Sequence, residues 1–312
     1  MTLHLTKGSV QHGRVLERVA ETVQGVLGEG RVADQIPALA DADPYAFGMA
    51  LATVDGELHG VGDWRRRFSI QSISKVFTLA LVIASDREGL WRRVAREPSG
   101  TRFNSLVQLD YEHGIPRNPF INAGALVVTD HLLTLTGDAC GAVERFLRDE
   151  CACPEIGSDP AIASSEAKNK DRNAAVAHVL TSYGNLVNSV EDVLDHYTRH
   201  CAITMSCAEL AEASSFLVRH GLRRRGSRLV SASDAKHINA MMLTCGTYDA
   251  AGEFAFRVGL PAKSGISGGI LAIIPGVCGV CVWSPGLDEK GNSVAGTAAL
   301  EEFASLTGWS VF

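Results

Sequence analysis

Four apolar residues near the start of the chain share one face of a helix. Val15, Val19, Val23 and Leu27 are each separated by four positions. This period predicts an amphipathic helix over residues 10–27. A loop that contains residues 33–40 follows it.

The segment 46–60 has the pattern of two short strands. Its centre is the dipeptide Asp55-Gly56, which favours a tight turn. A β-hairpin is therefore predicted there.

A helix that is almost wholly apolar is predicted next, within Phe68 to Ala84. Its apolar run from Val76 to Ala84 is far shorter than the ~20 residues needed to cross a bilayer. We therefore expect a helix of the protein core and no membrane span.

Helical periodicity and few strand signals characterise the long region that follows, roughly residues 85–245. The helices predicted in it are Ala123 to Leu135, Ala142 to Glu150, Ala174 to Tyr183, Ser189 to Cys201, Cys207 to His220 and Ser233 to Cys245. After Tyr248, β-branched residues and Pro-Gly punctuation predict consecutive strands. These strands are Phe254 to Val258, Leu260 to Ser264, and the runs GGILAIIPG and VCGVCVWSP, before a closing helix near Ser293 to Leu306.

This order of elements predicts an α/β (α+β) fold, in which terminal helices flank an antiparallel sheet and a helical lobe is inserted. We expect one domain over residues 1–312. Its sheet lobe would comprise about 1–70 plus 246–312, and its helical lobe 71–245. The crevice between the lobes is the expected site.

Composition and charge exclude several classes of function. The 312 residues are 46% hydrophobic and carry a formal net charge of −6, so the chain lacks the electrostatic footprint of a nucleic-acid-binding or membrane-surface protein. Two basic triplets, Arg65–Arg67 and Arg223–Arg225, are interpreted as solvated loops. The N-terminus has no charged segment followed by an apolar one, which predicts a cytoplasmic protein.

Neither the cysteines nor the histidines predict a metal site. The eight cysteines are scattered, and Cys278 and Cys281, three apart on a predicted strand, should face opposite sides of it. His196 and His200 have helical i,i+4 spacing but lack the glutamate of an H-E-x-x-H frame.

The spacing S-x-x-K points to an activated serine, because a desolvated lysine next to the hydroxyl can take up its proton. The spacing occurs three times, at Ser72/Lys75, Ser165/Lys168 and Ser233/Lys236. Only the first pair precedes an apolar helix that can dehydrate its lysine. Ser165/Lys168 is interpreted as part of a polar loop rich in Glu, Lys and Asn, and Ser233-Asp234 resembles a helix N-cap.

The motif Lys263-Ser264-Gly265 strengthens the interpretation of Ser72/Lys75 as a catalytic pair. In serine hydrolases of the penicillin-recognising fold, S-x-x-K on a helix faces K-[ST]-G on an adjacent strand. The third motif of that fold, S-D-N, is absent, and Tyr183-Gly184-Asn185 matches its Y-x-N variant in letters only.

Longer blocks closely resemble the serine-dependent glutaminase family from about Gly30 onward. They are QSISK within residues 68–84, NPFINAGA, SEAKNKDRN, CGTYDAAGEFAFRVGLPAKSGISGGI and WSPGLDEKGNS. The resemblance implies a β-lactamase-like fold, hydrolysis of L-glutamine to L-glutamate and ammonia, no metal or organic cofactor, and a homo-oligomer, either dimer or tetramer.

Carried over by position, the resemblance implies that Ser72 is the nucleophile, Lys75 its proton partner and Tyr248, not Tyr183, the catalytic tyrosine. Ser72 and Tyr248 would also contact substrate. The further substrate positions are Asn122, Glu166, Asn173, Tyr197 and Ile266, the last acting through its backbone amide. Without the block matches, the asparagines would be interpreted as helix caps, Tyr197 as a core residue and Glu166 as a surface charge.

One departure concerns the loop expected to cover the site. The family usually has a tyrosine where this chain has Gln35, so the phenol and its aromatic cover are lost. Two alternatives remain open: a β-lactam hydrolase or peptidase of the same fold, and a non-enzymatic amino-acid sensor suggested by Gln35 alone.

Overall fold

A computed structural model describes residues 9–100 and 106–312 and contains two antiparallel sheets. The strands are β1 Gly48–Thr53, β2 Leu58–Gly62, β3 Phe68–Ser69, β4 Gly157–Ser158, β5 Ile203–Met205, β6 Ala262–Ser264, β7 Gly269–Ile274 and β8 Cys278–Trp283. The larger sheet has the order β2-β1-β8-β7-β6, and the smaller one β3-β5-β4. In the larger sheet Ala50 lies opposite Gly60 on one side and Cys281 on the other.

Helices precede, interrupt and follow these strands. They are α1 Ser9–Val23, α2 Ser74–Arg93, α3 Leu106–Tyr111, α4 Asn122–Thr136, α5 Ala139–Cys151, α6 Pro160–Lys168, α7 Asp171–Ser182, α8 Val190–Cys201, α9 Cys207–Ala213, α10 Ser215–Val218, α11 Ala232–Cys245, α12 Ala251–Arg257 and α13 Val294–Thr307. The predicted α/β class with an antiparallel sheet between terminal helices is confirmed.

Most predicted elements are confirmed, including the hairpin, the three last strands and the closing helix. The predicted helix Cys207 to His220 divides into α9 and α10 at Ser214, whose hydroxyl donates to the carbonyl of Ala211. Two short helices, α3 and α6, and the small sheet were not predicted. Their few residues provide too little periodicity to recognise.

The predicted strand Phe254 to Val258 is wrong, because these residues belong to α12 and its C-cap. The alternation of apolar residues imitates a strand, but Phe256 is 88% exposed whereas Phe254 and Val258 are buried. Residues four apart share one face of a helix, and this face packs into the core beneath the sheet.

Two hydrophobic clusters cover the two faces of the large sheet. The smaller one lies between the sheet and helices α1 and α13; the larger runs from the other face of the sheet into the inserted helices without interruption. Cys278 belongs to the smaller cluster and Cys281 to the larger, so their predicted opposite orientation is confirmed. All eight cysteines are free. The division into a sheet lobe and a helical lobe stays a prediction.

The two basic triplets lie in loops as predicted, but several of their guanidinium groups are paired instead of solvated. Arg67 donates to Glu209 at 2.6 Å, and Arg223 donates to the fully buried Glu150 at 2.5 Å. In the described part of the chain, no helix is long and apolar enough to cross a membrane.

A buried carboxylate ties α2 to α4 and to the loop before α8. Asp130 is 0% exposed and accepts hydrogen bonds from Arg93 at 2.5 Å and from the backbone amides of Val187 and Asn188. Asn185, the asparagine of the Y-x-N match, donates to the carbonyls of Arg93 and Gly114. The Tyr183-Gly184-Asn185 segment therefore has a structural role, because its asparagine connects the end of α7 to α2 and to the loop after α3.

We expect Asp130→Ala to lower the free energy of unfolding by about 3–5 kcal/mol, because it leaves the Arg93 guanidinium without its buried partner. Urea denaturation measures this change. The control is Glu21→Ala, which removes an exposed ion pair with Arg18 and should cost less than about 1 kcal/mol. Equal effects of the two substitutions would contradict the prediction.

Candidate active site

Ser72 lies in a tight turn between β3 and α2. The turn Gln71–Ile73 is a 3-10 helix, and Gln71 enters it with a φ of 48°, a left-handed conformation that is unfavourable for residues other than glycine. The β6–β7 turn approaches from the opposite side so closely that a Cβ on Gly265 would lie 2.8 Å from the carbonyl oxygen of Ile70. Ser72 therefore lies close to the β6–β7 turn and is 9% exposed.

Lys75 lies one turn further, in the first turn of α2, with its side chain buried. Its ammonium donates to Asn122 Oδ1 at 2.8 Å and to the carbonyl of Phe120 at 3.2 Å. Burial lowers the pKa of Lys75 to about 8, although the nearby Cys201 and Glu166 oppose this change. An amine of this pKa can serve as a base near neutral pH.

Tyr248 meets Ser72 from the turn after α11. Its backbone also has a positive φ, 56°, and its hydroxyl lies 3.4 Å from the carbonyl oxygen of Ser264. Burial raises the pKa of Tyr248 to about 12, although a hydrogen bond with Ser72 opposes the rise. The phenol is therefore protonated at neutral pH and can pass a proton to or from the serine.

Lys263 supports the Tyr248 ring from below. Its ammonium is fully buried, lies 4.5 Å from the ring centroid, and donates to the carbonyls of Gly246 and Ser264 at 2.9 and 2.6 Å. Burial first, and then the charge of Lys75, hold the pKa of Lys263 well below its usual value.

Asn122 joins three of the predicted site residues in one hydrogen-bonded row. Besides accepting from Lys75, its Oδ1 accepts from the Tyr197 hydroxyl at 3.2 Å, and its Nδ2 donates to Asn173 Oδ1 at 3.0 Å. Together with Lys75, these residues come from α2, α4, α7 and α8. Direct hydrogen bonds thus join side chains that lie up to 75 positions apart in the sequence.

Glu166 projects from α6 toward the same cleft. Its Oε1 atom is buried and has no hydrogen-bond partner among the described residues. Burial raises the pKa of this carboxyl group, whereas a hydrogen bond with Gln71 and the charge of Lys75 oppose the rise. A buried carboxylate oxygen without a partner is costly, and a cationic group of a ligand would satisfy it.

Ile266 lies in the turn that joins β6 to β7. Its side chain packs against a small cluster formed by Ala33, Ile36, Leu39 and Leu287, with Ile162 at its margin. Neither the amide of Ile266 nor that of Ser72 donates to a backbone carbonyl in the described turns and loops. Two such amides are suited to stabilise a negatively charged oxygen.

Gln35 is exposed on the loop that carries the 3-10 turn Pro37–Leu39. This loop, residues 31–45, is called the cover loop below. It is anchored by Ala33, Ile36 and Leu39, and by a 3.4 Å hydrogen bond from the Ala38 amide to Ser165. Beneath it lies a cavity of about 440 Å³ that Ser69 and Ile266 also line.

Neither of the other two S-x-x-K pairs combines its serine with a buried lysine. Ser233 and Lys236 are exposed at the start of α11, and Lys168 is exposed at the end of α6. The hydroxyl of Tyr183 donates to Asp110 at 2.7 Å, at the end of α7. Tyr248, and not Tyr183, is therefore the tyrosine that is hydrogen-bonded with Ser72.

Sequence reasoning missed two members of the site. Gln71 contacts Glu166, and Lys263 had been noted in its motif without a role of its own. The signal for Gln71 was its position directly before Ser72. The signal for Lys263 was a lysine in an otherwise apolar strand segment, since lysine is rarely fully buried without a reason.

These groups together suit acyl transfer. The cleft offers a buried hydroxyl, an amine of lowered pKa, a protonated phenol and two candidate oxyanion donors. It also offers one carboxylate oxygen that lacks a partner, so the site suits a substrate with a carbonyl centre and a cationic group.

Comparisons with known sequences and structures identify the same family. A family model described as Glutaminase matches residues 30–312. A glutaminase of Streptomyces coelicolor is 63% identical over 298 residues, which cover 96% of this chain and 97% of that protein. A glutaminase of Ralstonia nicotianae is 54% identical over 299 residues, covering 96% and 98%.

Solved structures agree with the sequence comparison. A structure described as probable glutaminase ybaS has a TM-score of 0.89 at 32% identity and covers 96% of this chain and 98% of its own. A probable glutaminase of Bacillus subtilis has a TM-score of 0.87 at 29% identity, covering 97% and 98%. The predicted β-lactamase-like fold is confirmed by these neighbours.

We expect a fluorophosphonate to label Ser72 selectively, at a rate that rises as the pH increases through about 8. Below that pH Lys75 is protonated and cannot accept the hydroxyl proton; above it the amine is neutral. Lys75→Met should lower the rate by at least ~100-fold. Mass spectrometry of the labelled peptide measures both results.

The matched control is Ser233→Ala, which removes a serine with the same spacing to a lysine and should leave labelling unchanged. Labelling that persists in Ser72→Ala, or that does not depend on pH between 6 and 10, would contradict the expectation.

Proposed function

The chain belongs to the glutaminase family of amidohydrolases, and we propose that it converts L-glutamine to L-glutamate and ammonia through a Ser-Lys-Tyr acyl-enzyme mechanism. The observation that supports this proposal most directly is the unpartnered carboxylate oxygen of Glu166 in the cleft of Ser72, Lys75 and Tyr248. A free amino acid brings the α-ammonium group that this oxygen lacks.

In the first step the Ser72 hydroxyl attacks the side-chain carboxamide carbon of glutamine. Lys75 takes the hydroxyl proton. With its pKa of about 8, roughly a tenth of the Lys75 side chains are neutral at pH 7, and the hydrogen bonds to Asn122 and Phe120 hold the amine at the start of α2.

The negative charge that develops on the carbonyl oxygen is stabilised by the backbone amides of Ser72 and Ile266. The close approach of the two turns at Gly265 supports a role for both amides at the same oxygen. Since only the amide of Ile266 takes part, its side chain is free to pack beneath the cover loop. Removing one donor of this kind typically costs about 100- to 1,000-fold in kcat.

Tyr248 completes the proton transfer. Its protonated phenol, hydrogen-bonded with Ser72, passes a proton to the leaving nitrogen, which departs as ammonia. The buried Lys263 beneath the ring holds the phenol in place. Water then attacks the glutamyl ester with the same groups acting in reverse, and glutamate and the free Ser72 hydroxyl result.

The α-ammonium and α-carboxylate groups, which share one carbon of the amino acid, are bound by different side chains. Glu166 accepts hydrogen bonds from the α-ammonium group. Asn122, Asn173 and Tyr197 provide amide and phenol groups for the α-carboxylate, and their mutual hydrogen bonds fix their orientation before substrate arrives. No metal or organic cofactor has a role in these steps.

The proposal extends to the organisation of the protein. The larger hydrophobic cluster continues from the sheet into the helices, which supports one catalytic domain built from the two predicted lobes. Val107 and Tyr111, four apart on α3, are 83% and 80% exposed, which supports a homo-oligomer. We place the enzyme in the cytoplasm, where its eight free cysteines would stay reduced.

We expect the purified protein to release ammonia from L-glutamine, and Ser72→Ala to release none above background. Glu166→Gln should raise KM by roughly 10-fold or more with a smaller change in kcat, because it removes a charged hydrogen bond to the α-ammonium. A coupled ammonia assay and trapping of the glutamyl ester by hydroxylamine provide the measurements.

The control variant is Glu21→Ala on α1, far from the cleft, which should behave as the wild type. Turnover that survives Ser72→Ala would overturn the mechanism. Glutamine binding by calorimetry without any ammonia release would favour the sensor alternative, and hydrolysis of a chromogenic β-lactam would favour the β-lactam hydrolase.

Gln35→Tyr should raise kcat/KM for glutamine by up to ~10-fold, because an aromatic ring adds cover over the cleft that the exposed amide does not provide. Steady-state kinetics with glutamine test this expectation. Gln35→Phe, which adds the ring without the hydroxyl, separates the two contributions. An unchanged kcat/KM in both variants would show that the cover loop does not limit the reaction.

A further inference from the structure

Three potential metal ligands meet at the edge of the large sheet farthest from β6. They are His12 on α1, and Glu57 and His59 at the start of β2. The sequence gives no motif for them, because 45 positions separate His12 from Glu57. Glu57 and His59 are two apart on an extended chain, so their side chains lie on the same face, where α1 packs.

The spacing of the ligand atoms suits a small divalent ion. One atom from each residue lies within 4.8 Å of the others. Glu57 Oε2 is 3.2 Å from His59 Nε2 and 4.0 Å from His12 Nδ1. Donors bound tetrahedrally at 2.0–2.1 Å lie about 3.4 Å apart, so the set closes around zinc after small side-chain movements.

The surroundings of the His12 side chain also favour a bound metal ion. Its Nδ1 atom is buried and has no hydrogen-bond partner among the residues that the structure describes. A metal ion would give this nitrogen the partner that it lacks. The ring of Trp309, 6.1 Å away, shields one side.

We propose that His12, Glu57 and His59 form a zinc site that clips α1 to the edge of the sheet. The donor set of two imidazoles and one carboxylate suits borderline divalent ions such as Zn²⁺, and a water molecule completes the tetrahedron. In the strand order β2-β1-β8-β7-β6, three strands lie between this site and the strand that carries Lys263. The ion therefore stabilises the fold and takes no part in amide hydrolysis.

The test uses the full chain without a polyhistidine tag, stripped with a chelator and titrated with Zn²⁺ alone at pH 7.5. We expect one high-affinity site per chain by calorimetry, and a Tm increase of about 4 °C when free Zn²⁺ is 100 times Kd. His59→Ala and the conservative Glu57→Gln should each weaken binding by at least roughly 100-fold, since even outer partners of ligands contribute 10- to 100-fold.

The matched control is His178→Ala, which removes an exposed histidine of α7 and should leave zinc binding unchanged. The intensity of Co²⁺ d–d absorption bands provides a second measurement, because a tetrahedral site gives stronger bands than solvated Co²⁺. Ammonia release from glutamine is measured in parallel and should not change in Glu57→Gln. Wild-type zinc affinity in both Glu57→Gln and His59→Ala, or absence of the high-affinity site from the wild type, would overturn the proposal whether or not the chain is an active glutaminase.

Discussion

Burial of the Lys75 ammonium is the constraint on which the rest of the site depends. An apolar helix removes water from this amine and lowers its pKa, and the fold compensates with two hydrogen-bond acceptors, from Asn122 and Phe120. The same Asn122 then fixes Asn173 and Tyr197. The group that would activate the nucleophile and the groups that would bind substrate therefore share one hydrogen-bonded network.

The backbone at the site is held in two unfavourable conformations. Gln71 and Tyr248 are two of five described non-glycine residues with positive φ, and they lie on either side of Ser72. Such conformations persist only where surrounding contacts impose them. Here these contacts come from the turn at Gly265 and from the buried Lys263, so the K-S-G strand positions the catalytic groups as well as bordering the cleft.

The sequence predicted most elements, because helix and strand periods are strong signals in long segments such as α4, α8 and β8. It failed at Phe254–Val258, where an alternating pattern occurs within one helical turn and only packing decides the outcome. For the site, local spacing offered three serine–lysine pairs, and matches to long family blocks were needed to choose Ser72. The contact of Gln71 with Glu166 and the meeting of His12 with Glu57 and His59 depend on tertiary packing, which neither period nor motif encodes.

The cover loop has a consequence for the order of events in a catalytic cycle. The sheet and the helices share one continuous core, which disfavours a hinge between two separate bodies. The cover loop, in contrast, is held by a small cluster around four buried residues, Ala33, Ile36, Leu39 and Leu287, and by a few hydrogen bonds. Segments with few apolar contacts open locally at a small fraction of the free energy of global unfolding. In the proposed mechanism, local opening of this loop would be the least costly route by which ammonia leaves the ester.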